Sequence, residues 1–509
     1  MIKENKSQTK ASKKSGNIVS EQILNTKVKV IFKILIYVVA APAVLYGLYL
    51  LALQYRSYFC KLHVQEIYLE EKRPIFRIYT KNEESDTGYL KHIFAVLDRL
   101  GFQQETTTEW DLLWAHDYPF SVLNSNLTNL KPHQKVNHFP GCGYITNKVD
   151  LSTTEGKYTP LSFKIPENQE ALLTYVKENP QKSFVQKSNA HRGIEIKKIE
   201  ELNLTAEGSF VQEFIDRPFL VDGYKFDIGI YTVITSIDPL RVYGYKGDVL
   251  FRFCPEKYYP FDPSNLDKYV VGDDYLPIWN VPSLRNYYAK LGFSMKDSFD
   301  AYVRSSGKDP QKMWDDAFDA IKEIVLKKEM QIREVTKRFG SGRNFFELMR
   351  FDFTLDEDLN IYIMEANMSP NLSSAHYPPN QLLYEQVLFN LFALIGVGRR
   401  TRSDTLRIRD RGEIKMEVAD KNLVVLSEVC STCDDCFQVE CQLCRGCYTD
   451  DWRVILTQSF IEHHNKMDFK RIFPPPISQD MVLKDYTLRN QLLIRWFQGK
   501  CEIDPTWCG

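Results

Sequence analysis

What this chain lacks first is a net charge. Its 65 Lys and Arg stand against 66 Asp and Glu, giving a formal charge of −1 and a pI near 6.8. That excludes a global electrostatic pull toward nucleic acid, so any charged partner has to be met by a local patch. No internal repeat is evident. Residues 1–29 are short of large apolar side chains and rich in Lys, Ser and Asn, so no fold is expected there. A small-residue cleavage site is also missing, which argues against a cleaved signal peptide. Apolar content of 44% and charged content of 26% are ordinary, so wholesale disorder is excluded but no activity is named.

With 509 residues the chain has room for several domains and a sizeable core. Residues 34–53, ILIYVVAAPAVLYGLYLLAL, carry no charge, and at about 1.5 Å per residue they match the ~30 Å of a bilayer core. A single membrane-spanning helix is predicted; a buried helix fits this length less well. Lys3, Lys6, Lys10, Lys13, Lys14, Lys27 and Lys29 precede the span, whereas only Arg56 and Lys61 follow closely. The positive-inside rule then keeps the N-terminus cytosolic and turns the large domain toward a lumen or the outside, although a cytosolic domain is not excluded. Of eleven cysteines, eight follow residue 429, which agrees with an oxidising compartment. Asn126-Leu127-Thr128 and Asn203-Leu204-Thr205 are glycosylation sequons. A third, Asn367-Met368-Ser369, conflicts with this orientation, because a sugar there would destroy the site proposed below.

The stretch 346–372, FELMRFDFTLDEDLNIYIMEANMSPNL, carries most of the chemistry. Arg350 to Leu355 alternates polar and apolar residues, Asp356-Glu357-Asp358 makes a turn, and Ile361 to Glu365 resumes strand character. In such a hairpin Asp352, Glu365 and Asn367 converge as three hard oxygen ligands, suited to Mg²⁺ shared with phosphates. An edge hairpin whose carboxylates face water is the alternative.

Ahead of it, residues 73–152 alternate short β-like runs (Ile75 to Tyr79, Asp111 to Trp114) with a helical pattern from Tyr89 to Leu100, predicting a small α/β domain. Phe184 to Lys187 predicts a strand before the polar loop Ser188 to Ile196, in which Arg192, Gly193 and backbone N–H groups could approach phosphate while Lys187 adds a point charge. Any surface hairpin has the same outline. Gln212, Glu213, Phe214 and Ile215 read as a linker strand whose backbone could hold an adenine edge. Residues 297–338 predict a helix with Trp314, Phe318, Ile321, Ile324, Val325 and Leu326 on one buried stripe, and Gln381 to Gly396 predicts another ending at its glycine.

These segments together resemble the tubulin tyrosine ligase-like family over about residues 73–400. The motifs fall in one order: WDLLW, KVNHFPG, ITNK, FVQK with HRGI, VQEFI before PFLVDGYKFDIG, DPLRVYGYKGDVLFRF, and FELMRFDF with MEANMSPNL. The resemblance implies an ATP-grasp fold, mixed α/β, with residues 153–400 as its central and C-terminal parts. It implies activation of a carboxylate by ATP as an acyl-phosphate, which an amine then attacks to give an amide. By position, Lys148 and Lys187 resemble phosphate-binding lysines, Arg192 and Gly193 the phosphate-covering loop, and Gln212 to Ile215 the adenine hinge. Lys225, Asp227, Arg241 and Arg252 resemble residues lining the substrate and phosphate side, and Asp352, Glu365 and Asn367 resemble Mg²⁺ ligands.

Two positions depart from the family. Where it usually reads KFDLR, this chain has Gly229, and loss of such a donor typically costs about 2.7–4 kcal/mol of transition-state stabilisation. The usual HLTN stretch is unrecognisable in residues 267–282, where only Asn280 offers a stand-in. The expectation is therefore a ligase joining glutamate to tubulin, with a weak or inactive ATP-binding module, or a lumenal ligase for another carboxylate, as alternatives. Residues 401–509 are expected as an Arg-rich linker and a Cys-rich extension. Its Cys430, Cys433, Cys436, Cys441, Cys444 and Cys447 suit either Zn²⁺ or, with Cys501 and Cys508, disulfides, which the lumenal charge bias favours.

Overall fold

The computed structural model describes residues 25–67, 73–81, 87–107, 109–189, 195–397, 418–478 and 481–509. Arg192, Gly193, most of the expected N-terminal tail and the Arg-rich stretch 398–412 lie outside them. The chain divides into two units, Met1–Lys72 and Arg73–Gly509.

The first unit contains one apolar helix, α1 (Asn25–Tyr58), long and apolar enough to cross a membrane, with none of its apolar window buried. It takes in residues 25–29, which composition alone had left in the tail.

The second unit has three sheets. A small parallel sheet comes first, built from β1 (Ile75–Tyr79), β2 (Gln103–Gln104), β3 (Leu112–Ala115) and β4 (Lys135–Val136) in the order β2-β1-β3-β4. Helix α2 (Lys91–Arg99), joining β1 to β2, buries Ile93, Val96 and Leu97, as its period of 3.6 predicts. A separate antiparallel sheet follows: β5 (Ser162–Ile165), β6 (Phe184–Ser188), β7 (Glu195–Lys197) and β8 (Ser209–Glu213), in the order β5-β8-β6-β7. Helix α3 (Gln169–Glu178) closes its own core around Phe163, Ile165, Leu172, Phe184 and Val211.

The largest sheet has seven strands and is organised on β9 (Tyr224–Ile237). One edge of β9 pairs with β10 (Leu240–Tyr245) over its second half and with β11 (Leu250–Lys257) over its first; β12 (Leu276–Pro277) extends β11. The other edge pairs with β13 (Glu347–Leu355), which carries β14 (Ile361–Asn367), so the hairpin expected in 346–372 is present. The helix expected over 297–338 is two, α4 (Met295–Ser305) and α5 (Gln311–Thr336), parted where Gly307 takes a positive φ and Pro310 restarts the chain. Trp314, Ile321, Ile324 and Val325 are buried as expected, while Phe318 and Leu326 are half-buried. Helix α6 (Gln381–Leu394) ends before Gly396, whose φ is +79°.

The C-terminal extension is not an appendage. After α7 (Asp450–Asn465), β15 (Phe469–Phe473) pairs antiparallel with β10 and becomes part of the large sheet, and α8 (Leu488–Ile503) follows. Leu423, Trp452, Leu456, Trp496 and Phe497 give the extension its own core. Its cysteines pair as Cys430–Cys444, Cys433–Cys441, Cys436–Cys447 and Cys501–Cys508, leaving no thiolate of this cluster for zinc.

Candidate active site

Strand alternation places residues 227 and 229 of β9, 252 of β11, 350 and 352 of β13 and 365 and 367 of β14 on one face of the sheet. Register then sets them in a row: Arg252 opposite Asp227, Asp352 opposite both Gly229 and Glu365, and Arg350 opposite Asn367. The row is charged and largely shielded from water, with Asp352 2%, Asp227 15% and Arg252 17% exposed. Carboxylates at that depth need partners.

They have them. The Arg252 guanidinium donates through Nε and one terminal nitrogen to the two oxygens of Asp227, at 2.9 and 2.7 Å, and reaches Asp352 Oδ2 at 3.0 Å. Arg350 forms a second fork on Asp352, at 2.6 and 2.8 Å. Asn367 Nδ2 donates to Asp352 Oδ2 at 3.0 Å and to Glu365 Oε1 at 3.1 Å, and Lys148 meets Glu365 Oε2 at 3.1 Å. Burial pushes Asp227 above the usual carboxylate range against the pull of Arg252. Burial acts the same way on Glu365, but Lys148 and the Asn367 amide outweigh it and hold the group at about 2. In the Arg252 guanidinium, Asp227 and Asp352 overcome the effect of burial and raise its pKa.

The smaller antiparallel sheet contributes the second wall. Lys148 opens a short helix (Lys148–Ser152) whose N-cap, Asn147, accepts from the backbone N–H of Asp150, fixing where the lysine starts. Lys187, near the end of β6, donates to Gln212 Oε1 on β8 at 2.9 Å, and Gln212 donates in turn to the Ser162 hydroxyl on β5. Lys225, at the start of β9, donates to the carbonyl of Tyr269. Burial, with Lys225 and Lys148 as neighbouring cations, lowers Lys187 to about 8.

Arg241 does not belong to this site. It lies on β10 opposite Ser236, nine residues along β9 from Asp227, about 30 Å at the usual strand rise. There it is buried, paired with Glu462 of α7 at 2.8 and 3.2 Å, so it docks the extension instead of lining substrate. The expected adenine hinge is also partly spent: the N–H groups of Glu213 and Phe214 donate to Leu161 and Ser183, and the Glu213 carboxylate holds Tyr175 and Lys182. Ile215 alone of the four lies past the strand end and those bonds. Asn280 is exposed beside Trp279 and Tyr377 on the rim of another cleft, of about 460 Å³.

Sequence reasoning missed Arg350 as a member of the site; its period-two spacing to Asp352 was the available signal. It also missed a cavity of about 640 Å³ that opens directly past Asn367, where Met368 to Asn371 face Trp114 and His116.

The sheet order and the lysine-and-carboxylate site define the ATP-grasp class. The chain belongs to the tubulin-tyrosine ligase family, whose profile matches residues 126–404. It is similar to the probable tubulin polyglutamylase ttll-15 of Caenorhabditis elegans, 40% identical over 454 residues that cover 86% of this chain and 88% of that one. It is 26% identical to the mouse tubulin polyglutamylase TTLL6 over 62% of this chain, and 28% identical to human TTLL7 over 55% of it. Of those two it spans only 40% and 34% of their lengths.

Proposed function

We propose that this protein is an ATP-dependent ligase that joins glutamate through its amine to a side-chain carboxylate of tubulin. Support comes from the polyglutamylases it resembles, above all the relative matched across nearly the whole length of both chains. The observation that carries the chemistry is the single sheet face on which Arg252, Asp227, Asp352, Glu365 and Asn367 meet across four strands, with Lys148 and Lys187 beside it.

The residues fit a magnesium nucleotide. Two carboxylates are held at hydrogen-bond distance from one Asn367 amide nitrogen, a donor standing where a cation would sit, and turning the amide presents its oxygen there. Asp352, Glu365 and Asn367 are hard oxygen donors of the kind Mg²⁺ prefers. Asp227, Asp352 and Glu365 are already balanced by Arg252, Arg350 and Lys148, so the ion fits best together with anionic phosphates. Bound there, ATP and Mg²⁺ would supply phosphoryl activation of the acceptor carboxylate, with phosphate released when the amine forms the amide. The protein's own part is electrostatic: Lys148, Lys187 and Arg252 hold phosphate charge, and Asp227 fixes the Arg252 fork. The acceptor side chain reaches this row from the cavity past Asn367.

The test is incubation of the full-length protein in detergent with ATP, Mg²⁺, radiolabelled glutamate and tubulin. Label on tubulin is expected; nucleotide binding without label would leave a binding module, the reading that Gly229 and the missing HLTN favour. A second reading, a lumenal ligase for another protein's carboxylate, is favoured by the four disulfides and the lysines ahead of α1. Protection of the C-terminus from protease in sealed microsomes would support it, and digestion would remove it.

A further inference from the structure

Gly229 sits inside the central strand of the large sheet, where a glycine ordinarily weakens packing. Its backbone is not in the left-handed region, so conformation does not call for it. Space does. A Cβ at 229 would lie 2.8 Å from Arg350 Cδ, 3.1 Å from Arg350 Nε and 3.2 Å from Asp352 Oδ1. The Arg350 side chain, 6% exposed, crosses the strand over that gap before closing its fork on Asp352.

We propose that Gly229 and Arg350 are a matched pair: the glycine clears the path, and Arg350 delivers from β13 the guanidinium that position 229 lacks on β9. Arg350 is a positioning residue. It acts through Asp352, whose Oδ2 takes Arg252 and Asn367 as well as Arg350 and whose Oδ1 takes Arg350 Nε. Without that fork a carboxylate this deep would be free to turn, and the row would lose its oxygen ligand nearest the strand centre. The proposal rests on the reading of this row as a magnesium–nucleotide site. It also bears on the departure from KFDLR: the row keeps a guanidinium, supplied from the neighbouring strand instead of from position 229.

The test uses the full-length protein in detergent, with ATP binding followed against Mg²⁺ concentration and thermal unfolding recorded in parallel. Gly229→Arg and Arg350→Gly are each expected to raise the Mg²⁺ needed for half-saturation about tenfold or more. In the double exchange, an arginine at 229 stands directly across from Asp352, at a cross-strand Cβ separation of about 5 Å, and binding should return to within about threefold of the parent. Arg350→Lys, which keeps charge but loses the fork, should fall between. The proposal is overturned if Gly229→Arg alone leaves both Mg²⁺ dependence and melting unchanged, or if the double exchange is no better than the worse single. Should the parent protein bind no magnesium nucleotide, the nucleotide reading fails separately. Melting then decides the pairing: a double exchange more stable than the two singles predict supports it, and additive losses overturn it.

Discussion

Buried arginine–carboxylate pairs hold two ends of the same sheet and do different work. At one end Arg252 and Arg350 grip Asp227 and Asp352, with Lys148 on Glu365 in the same row. At the other, Arg241 grips Glu462 with help from Thr235 and Tyr243, sealed under the extension. The chemistry of the bonds is nearly identical; what differs is the surroundings. The first pairs share their row with Glu365, Asn367 and Lys148, whereas the second holds α7 on the sheet. A charged residue in a strand motif therefore says little about role until its position along the strand is known.

The comparison can be broken most forcefully at Asp352. Asp352→Ala strands the buried Arg350 guanidinium and leaves Arg252 only Asp227, so a stability loss of about 3–5 kcal/mol in denaturant unfolding is expected, together with loss of glutamate transfer. Glu462→Ala strands Arg241 and should cost a similar amount, about 3–5 kcal/mol, yet the protein that remains folded should bind magnesium nucleotide like the parent. If Glu462→Ala abolished nucleotide binding in folded protein, the division between the two ends would fail.

Next comes Arg252→Ala, expected to lower glutamate transfer about 10²- to 10³-fold, with binding and folding less affected than by loss of Asp352. Reduction of the extension's disulfides, which close short spans of 7 to 14 residues, should lower stability by about 2–4 kcal/mol, visible as a fall in melting temperature with dithiothreitol. That loss should appear without a change in nucleotide affinity beforehand.

The smallest effect is in pH. Lys187 is lowered to about 8 by burial and its cationic neighbours. Below that value it is charged, and above it the folded protein gives up a proton that the unfolded chain keeps until about 10.4. Raising pH through 8 should thus stabilise the free protein slightly while weakening its hold on nucleotide. Lys187→Arg, charged throughout, should flatten the affinity profile; an unchanged profile would remove Lys187 from the phosphate wall.

The hairpin of residues 346–372 was legible because both of its strands alternate and its turn is acidic, all within one window. The family motifs ordered the rest of the catalytic unit for the same reason: each is local. What escaped was set by pairing across long separations. Arg350 matters through Gly229, over a hundred residues earlier, and nothing in either segment announces the register. Arg241 was placed with the site by its position in the motif DPLRVYGYKGDVLFRF, which does not report which end of the sheet the residue occupies. The strand Phe469–Phe473 is only five residues with lysine and arginine inside, next to a cysteine pattern that drew attention elsewhere.

That last strand has a consequence for how the protein is made. Among the described residues the outer edge of β10 is paired by residues 469–473, so translation has to pass the Cys-rich segment before the large sheet is finished. A message cut short between about residues 400 and 469 would leave a catalytic half that is complete in its motifs but displays a raw sheet margin, inviting self-association. Late nonsense mutations in this gene should behave as nulls.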